Sequence, residues 1–126
     1  MKSLIALVLV VALAACGGVG RTLSGNWSGT VNVSGAGPGT ATMSISQSGD
    51  GFVGTWQIAF AEGESSGSLE GVVIGDSTVT MQLYPSSPSA CPYQVAATWS
   101  ANTLSGSYET FNCSGRVSGR LDLQKR

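Results

Sequence analysis

Cys16, Cys91 and Cys113 are the residues of this chain best suited to covalent chemistry, and their number is odd, so one thiol is left over however the others pair. Cys91 and Cys113 stand too far apart for CxxC metal spacing and would ligate a metal only if reduced. The sequence has no histidine, which excludes a conventional Ser-His-Asp triad, a His-bearing zinc site and a tuned imidazole base. Glu62 and Glu64 come nearest to a paired carboxylate, but two glutamates among glycines and serines read as solvated, with no sign of the burial that shifts a pKa. Asp50 and Asp76 sit in turn-forming stretches where aspartate bonds its own backbone, and neither has the alternating ligands of an EF-hand loop. Asn26, Asn32 and Asn112 each open an Asn-x-Ser triplet, a pattern that arises by chance in a chain rich in serine. No catalytic group, metal site or cofactor is expected.

Cys16 has a more telling context. Met1-Lys2-Ser3 gives a short positive start, and Leu4 to Ala12 is an apolar run too short to span a bilayer, which together read as a removable targeting segment. The run ends in Leu13-Ala14-Ala15-Cys16, which resembles the lipobox of bacterial lipoproteins. That resemblance implies cleavage before Cys16, diacylglycerol on its thiol and acylation of the freed amine, a lipid anchor in the bacterial cell envelope. Gly17 stands where the enterobacterial pattern has an inner-membrane-retaining aspartate, so the outer membrane is favoured if the organism has one. With lipid on Cys16, Cys91 and Cys113 are left to pair in an oxidising compartment, a disulfide contributing about 3 kcal/mol. The expected organisation is a signal peptide over residues 1–15, a lipidated tether over 16–22 and one domain over 23–126.

The domain must then be built mostly without helices. Gly, Ser, Thr and Val dominate, and apolar residues alternate with polar ones at period two. The inward sets are Trp27, Gly29, Val31 and Val33; Ala41, Met43 and Ile45; Phe52, Gly54, Trp56, Ile58 and Phe60; Leu69, Gly71 and Val73, with Val72 and Ile74 blurring the register. They continue as Val79, Met81 and Leu83; Tyr93, Val95, Ala97 and Trp99; Leu104, Gly106 and Tyr108; and Val117, Gly119, Leu121 and Leu123. Eight half-buried antiparallel strands follow from this pattern.

Tight turns are expected at Ser48 to Gly51, Gly75-Asp76 and Ser100 to Asn102, and longer connections at Ser34 to Pro38, Ala61 to Gly67, Tyr84 to Pro92 and Asn112 to Gly115. In an up-and-down meander the tight turns gather at one end and the longer connections at the other, with the chain termini at the tight-turn end. An apolar-x-Gly-x-apolar pattern recurs irregularly, as in Phe52-Gly54-Trp56 and Leu104-Gly106-Tyr108. An inward glycine lets a strand coil sharply and leaves room for an aromatic neighbour. Met43 to Trp56, a strand, a Gly-Asp-Gly turn and Gly-Thr-aromatic, resembles the hairpins of avidin-like and lipocalin-like (calycin) barrels. The fold class is therefore all-β, an eight-stranded antiparallel up-and-down barrel. No avidin ligand set can be placed beyond the Gly25-Asn26-Trp27 opening, and biotin binding is not implied.

Two readings of function remain open. Trp27, Met43, Trp56, Phe60, Tyr93, Trp99 and Tyr108 face inward, and they either line a pocket for a small apolar ligand or fill the barrel. In the second case the chain is a non-catalytic interaction or inhibitor protein that touches an envelope partner through its long loops. Six basic against seven acidic residues give too little charge for a nucleic-acid partner. From Cys16 to the first strand the tether reaches at most roughly 35 Å, and Arg21, Lys125 and Arg126 gather near it. There they either meet anionic headgroups or serve as solubilising charge.

Overall fold

The computed structural model describes residues 22–33, 37–61, 63–113 and 116–126. The expected signal peptide, Cys16, Arg21 and Glu62 lie outside them. Eight strands follow one another: β1 (Gly25–Val33), β2 (Gly37–Ser48), β3 (Gly51–Phe60), β4 (Gly63–Ile74), β5 (Thr78–Pro85), β6 (Tyr93–Ser100), β7 (Thr103–Thr110) and β8 (Ser118–Lys125). Each pairs antiparallel with the next, and β8 returns to β1, so the sheet is a closed up-and-down barrel, as in calycins. Closure gives each strand a neighbour on both sides.

The period-two pattern decides the two faces. Trp27 and Val31, Ala41, Met43 and Ile45, Phe52, Trp56 and Ile58, Val79, Met81 and Leu83, and Val95, Ala97 and Trp99 point inside, where they are buried. Thr40, Thr42, Ser44 and Ser46 on β2, and their counterparts on the other strands, face outward. This apolar-in, polar-out arrangement is the inverse of a membrane-spanning barrel.

Inward glycines let the strands coil closely. A Cβ at Gly119 would run into the Asn32 carbonyl and the Tyr108 hydroxyl, and one at Gly71 into the Thr80 carbonyl and the Phe52 ring. Phe52 is registered with Gly71 and Tyr108 with Gly119. The aromatic ring thus covers the bare backbone of its partner strand, restoring the contacts that glycine lacks.

The tight-turn end is closed by the chain itself. Leu23, fully buried, precedes β1 and plugs the barrel bottom. Its N–H donates to Gln47 Oε1 at 2.8 Å, and its carbonyl accepts the Trp27 indole N–H at 2.9 Å. From the other terminus Lys125 Nζ donates to the Thr22 carbonyl at 2.7 Å and stands 5.8 Å from the Trp27 ring centre. Arg126 bonds Asn26 through its backbone N–H and Ser28 through its guanidinium, both at 2.8 Å. Lys125 and Arg126 therefore hold the end of β8 to the start of β1 as well as carrying charge.

Three expectations need correction. Ala61 to Gly67 is not a long loop, because Gly63 to Gly67 are strand, registered with Phe60 to Trp56. The polar run Glu64-Ser65-Ser66-Gly67 hides the strand period, since its inward members are small and leave their space to large β3 residues such as Trp56; pairing along β3 overrides weak β-propensity. Pro38 and Tyr84, placed in connections, likewise belong to β2 and β5. Val117 is not an inward member of β8, being exposed just before it. Thr110 takes the buried rim position instead: its N–H donates to the Val117 carbonyl and its hydroxyl accepts the Val117 N–H at 3.0 Å.

Candidate functional site at the open end

Two of the four connections at the end opposite the plug are long enough to form a surface, the stretches 86–92 and 111–117. Cys91 and Cys113 join them in a disulfide, with Cα atoms 5.8 Å apart. Phe111 N–H donates to the Pro92 carbonyl at 3.1 Å, a second link between them. Ser86 N–H donates to the Ser66 carbonyl at 2.8 Å, so the stretch 86–92 is held at its start by β4 and near its end by the disulfide. Pro85, Pro88 and Pro92 restrict the backbone further. Asn112 takes the left-handed conformation (φ 53°), which asparagine adopts more readily than most residues, and aims Cys113 back at Cys91.

Beneath the loops, Tyr93 stands between two other rings. It meets Tyr108 edge to face at 5.5 Å and Trp56 at 6.4 Å. Phe60, Val33 and Tyr93 pack on the core and are only partly buried, forming an apolar rim. Tyr108 reaches across Gly119 to donate its hydroxyl to the Asn32 carbonyl at 3.3 Å. Burial, aided by Tyr93, pushes the Tyr108 phenol up to about 12.

The seven inward residues do not assemble into one pocket. Trp56, Phe60, Tyr93 and Tyr108 gather toward the loops, whereas Trp27 packs on the plug and Trp99 on the tight turn that follows it. Met43 is registered between Trp27 and Trp56. All three indole N–H groups are bonded to backbone carbonyls: Trp27 to Leu23, Trp56 to Ser68 at 2.8 Å and Trp99 to Ala101 at 3.3 Å. Their polar handles are used within the fold, and Trp56 also meets Tyr93 edge to face.

Among the other polar residues singled out, Asp50 and Asp76 are exposed in turns, and Glu64 lies outward on β4, accepting from Gln57 Nε2 at 3.1 Å. Sequence reasoning missed the Gln47 side chain, which holds Thr22 and Leu23, and the Gln82–Gln94 amide contact at 2.9 Å. Both are long-range pairings that only register reveals. Grooves are also present on the outer wall. One of about 590 Å³ crosses β6 to β8 beside Gln94, Glu109 and Arg120, and another of about 390 Å³ crosses β2 to β5 beside Val53, Glu70 and Val72. Compared with protein-family models, curated proteins and solved structures, the chain matches none.

Proposed function

We propose that this chain is a lipid-anchored, non-catalytic protein of the bacterial cell envelope. It is tethered through Cys16 and acts on a protein partner through the disulfide-joined loops at its open end. The observation that carries the reading is the combination of a filled barrel with a restrained rim. The inward side chains are packed in one core, all three indole N–H groups are bonded to backbone carbonyls, and the 86–92 stretch is held at both ends, which limits the ordering cost of contact. The lipobox-like Leu13-Ala14-Ala15-Cys16 supports the anchor. The N-terminal segment meets the barrel at the plugged end, so a lipid there would leave the loops facing away from the membrane.

The test is photo-crosslinking in intact cells from Ser87, in parallel with Ser107 on the outer wall of β7, combined with fractionation of a Cys16→Ser variant. The expected result is an adduct specific to position 87 that disappears in Cys91→Ser, with Cys16→Ser moving to the soluble fraction. Equal labelling from both positions would remove the loop from the reading, and a membrane-bound Cys16→Ser would remove the anchor. A second reading, a small apolar ligand at the mouth, is favoured by the partial exposure of Val33, Phe60 and Tyr93. It requires tyrosine and tryptophan fluorescence to respond to added lipid.

A further inference from the structure

The outer wall is clad mostly in Ser, Thr and Gln, and four of the five large exposed apolar side chains among the described residues fall on one side of it. Val53, Val72, Ile74 and Tyr84 are 59, 45, 54 and 39 % exposed and lie on the adjoining strands β3, β4 and β5, while the fifth, Val117, stands apart just before β8. Val72 and Ile74 are the two residues that blur the alternation of β4 in the sequence, because they are apolar on the face where polar residues are the rule. Scattered apolar residues are ordinary on a surface, whereas a cluster bordering a concave site marks a place for a partner.

Glu70 sits within the stripe. It is registered with Val53 on β3 and Gln82 on β5, and Val72 and Ser68 flank it on its own strand, two residues away. None of these neighbours carries a positive charge. Two grooves share this carboxylate. The first, of about 390 Å³, is walled by Val53 and Val72 over Gly71, whose missing side chain brings the buried Phe52 near the surface. The second, of about 430 Å³, lies between Val53 and Tyr84. An exposed carboxylate between apolar walls and a phenol ring is complementary to a long basic side chain. The alkyl stem of arginine or lysine covers valine, its charged head meets the carboxylate, and an aromatic face can carry the cation.

We infer that the β3–β5 wall is a second contact surface, which takes a protein segment presenting a basic side chain between apolar ones, with Glu70 receiving the charge. This inference depends on neither the lipid anchor nor the open-end loops. The experiment is amide-shift mapping of the isotope-labelled full chain in detergent, titrated with three blocked tripeptides: Leu-Arg-Leu, Leu-Gln-Leu and Leu-Glu-Leu. The expected result is saturable shifts centred on Val53, Glu70, Val72 and Tyr84 with the arginine peptide, and weaker binding of the glutamine and glutamate peptides. Glu70→Gln, a change at an exposed position that leaves the barrel folded, should weaken the arginine peptide about tenfold, and Val72→Ser should weaken all three. Equal response to the three peptides, unchanged binding by Glu70→Gln, or shifts confined to the 86–92 stretch would overturn the inference. So would concentration-dependent broadening of the same amides without peptide, which would make a second copy of the chain the occupant, or their broadening by detergent alone, which would make it lipid.

Discussion

Tyr108 does three jobs with one side chain. Its ring covers Gly119, its edge contact with Tyr93 links the core to the rim, and its hydroxyl donates to the Asn32 carbonyl on β1. With its phenol raised from 10.0 to about 12, the folded chain holds that proton more tightly than the unfolded chain does. The stability this contributes is whole below the unfolded pKa and is lost as pH rises from about 10 through about 12. Tyr108→Phe should therefore lose about 1 kcal/mol near neutrality, the worth of one hydrogen bond, and then show a flatter decline than the parent across the alkaline window. Urea unfolding at a series of pH values measures both effects. Parallel alkaline losses in the two proteins would show that another group is titrating.

Among the strands, the inward glycines matter as much as the apolar residues that outnumber them. Gly119 lets β8 approach β1 until a Cβ would collide with the Asn32 carbonyl, which is backbone and cannot swing aside. Gly119→Ala is expected to cost about 1–3 kcal/mol through overpacking, read as a lower urea midpoint with an unchanged slope. The same substitution at Gly49, which has open space around it but a positive φ, should act through backbone strain alone. These positions also explain what could be read from the sequence. Phe52-Gly54-Trp56 and Leu104-Gly106-Tyr108 announce strand, inward face and bend within five residues, so eight strands and their faces were legible. Glu64-Ser65-Ser66-Gly67 announces none of these, because its strand state comes from pairing with β3 and not from its own side chains. The pairing of Cys91 with Cys113 was legible through cysteine parity, since the meander brings both to one end. The separation of Trp27 and Trp99 from the Trp56–Tyr93–Tyr108 group was not, because alternation says which side chains point inward but not at what height.

For the whole molecule, the barrel and the disulfide contribute separately. Closure runs through the β1–β8 ladder, from Trp27 opposite Lys125 to Val33 opposite Gly119, and does not involve the cysteines. Replacing both Cys91 and Cys113 by serine should lower stability by about 2–4 kcal/mol, while leaving the far-ultraviolet dichroism of the folded chain unchanged. The melting temperature and spectrum together check this. A collapse of the β spectrum at room temperature would show instead that the staple is required for the sheet to form.

The same ladder sets the order in which the chain can be finished. β1 gains its second neighbour only from β8, which arrives last in the sequence and sits nearly the whole domain away. Contacts at such long range are slow to form, because the intervening chain must be ordered before they add anything. A polypeptide emerging start-first from a ribosome therefore carries an unsealed sheet until β8 is free. Closure waits for β8, and any truncation that removes that strand leaves a sticky open edge in place of a smaller barrel.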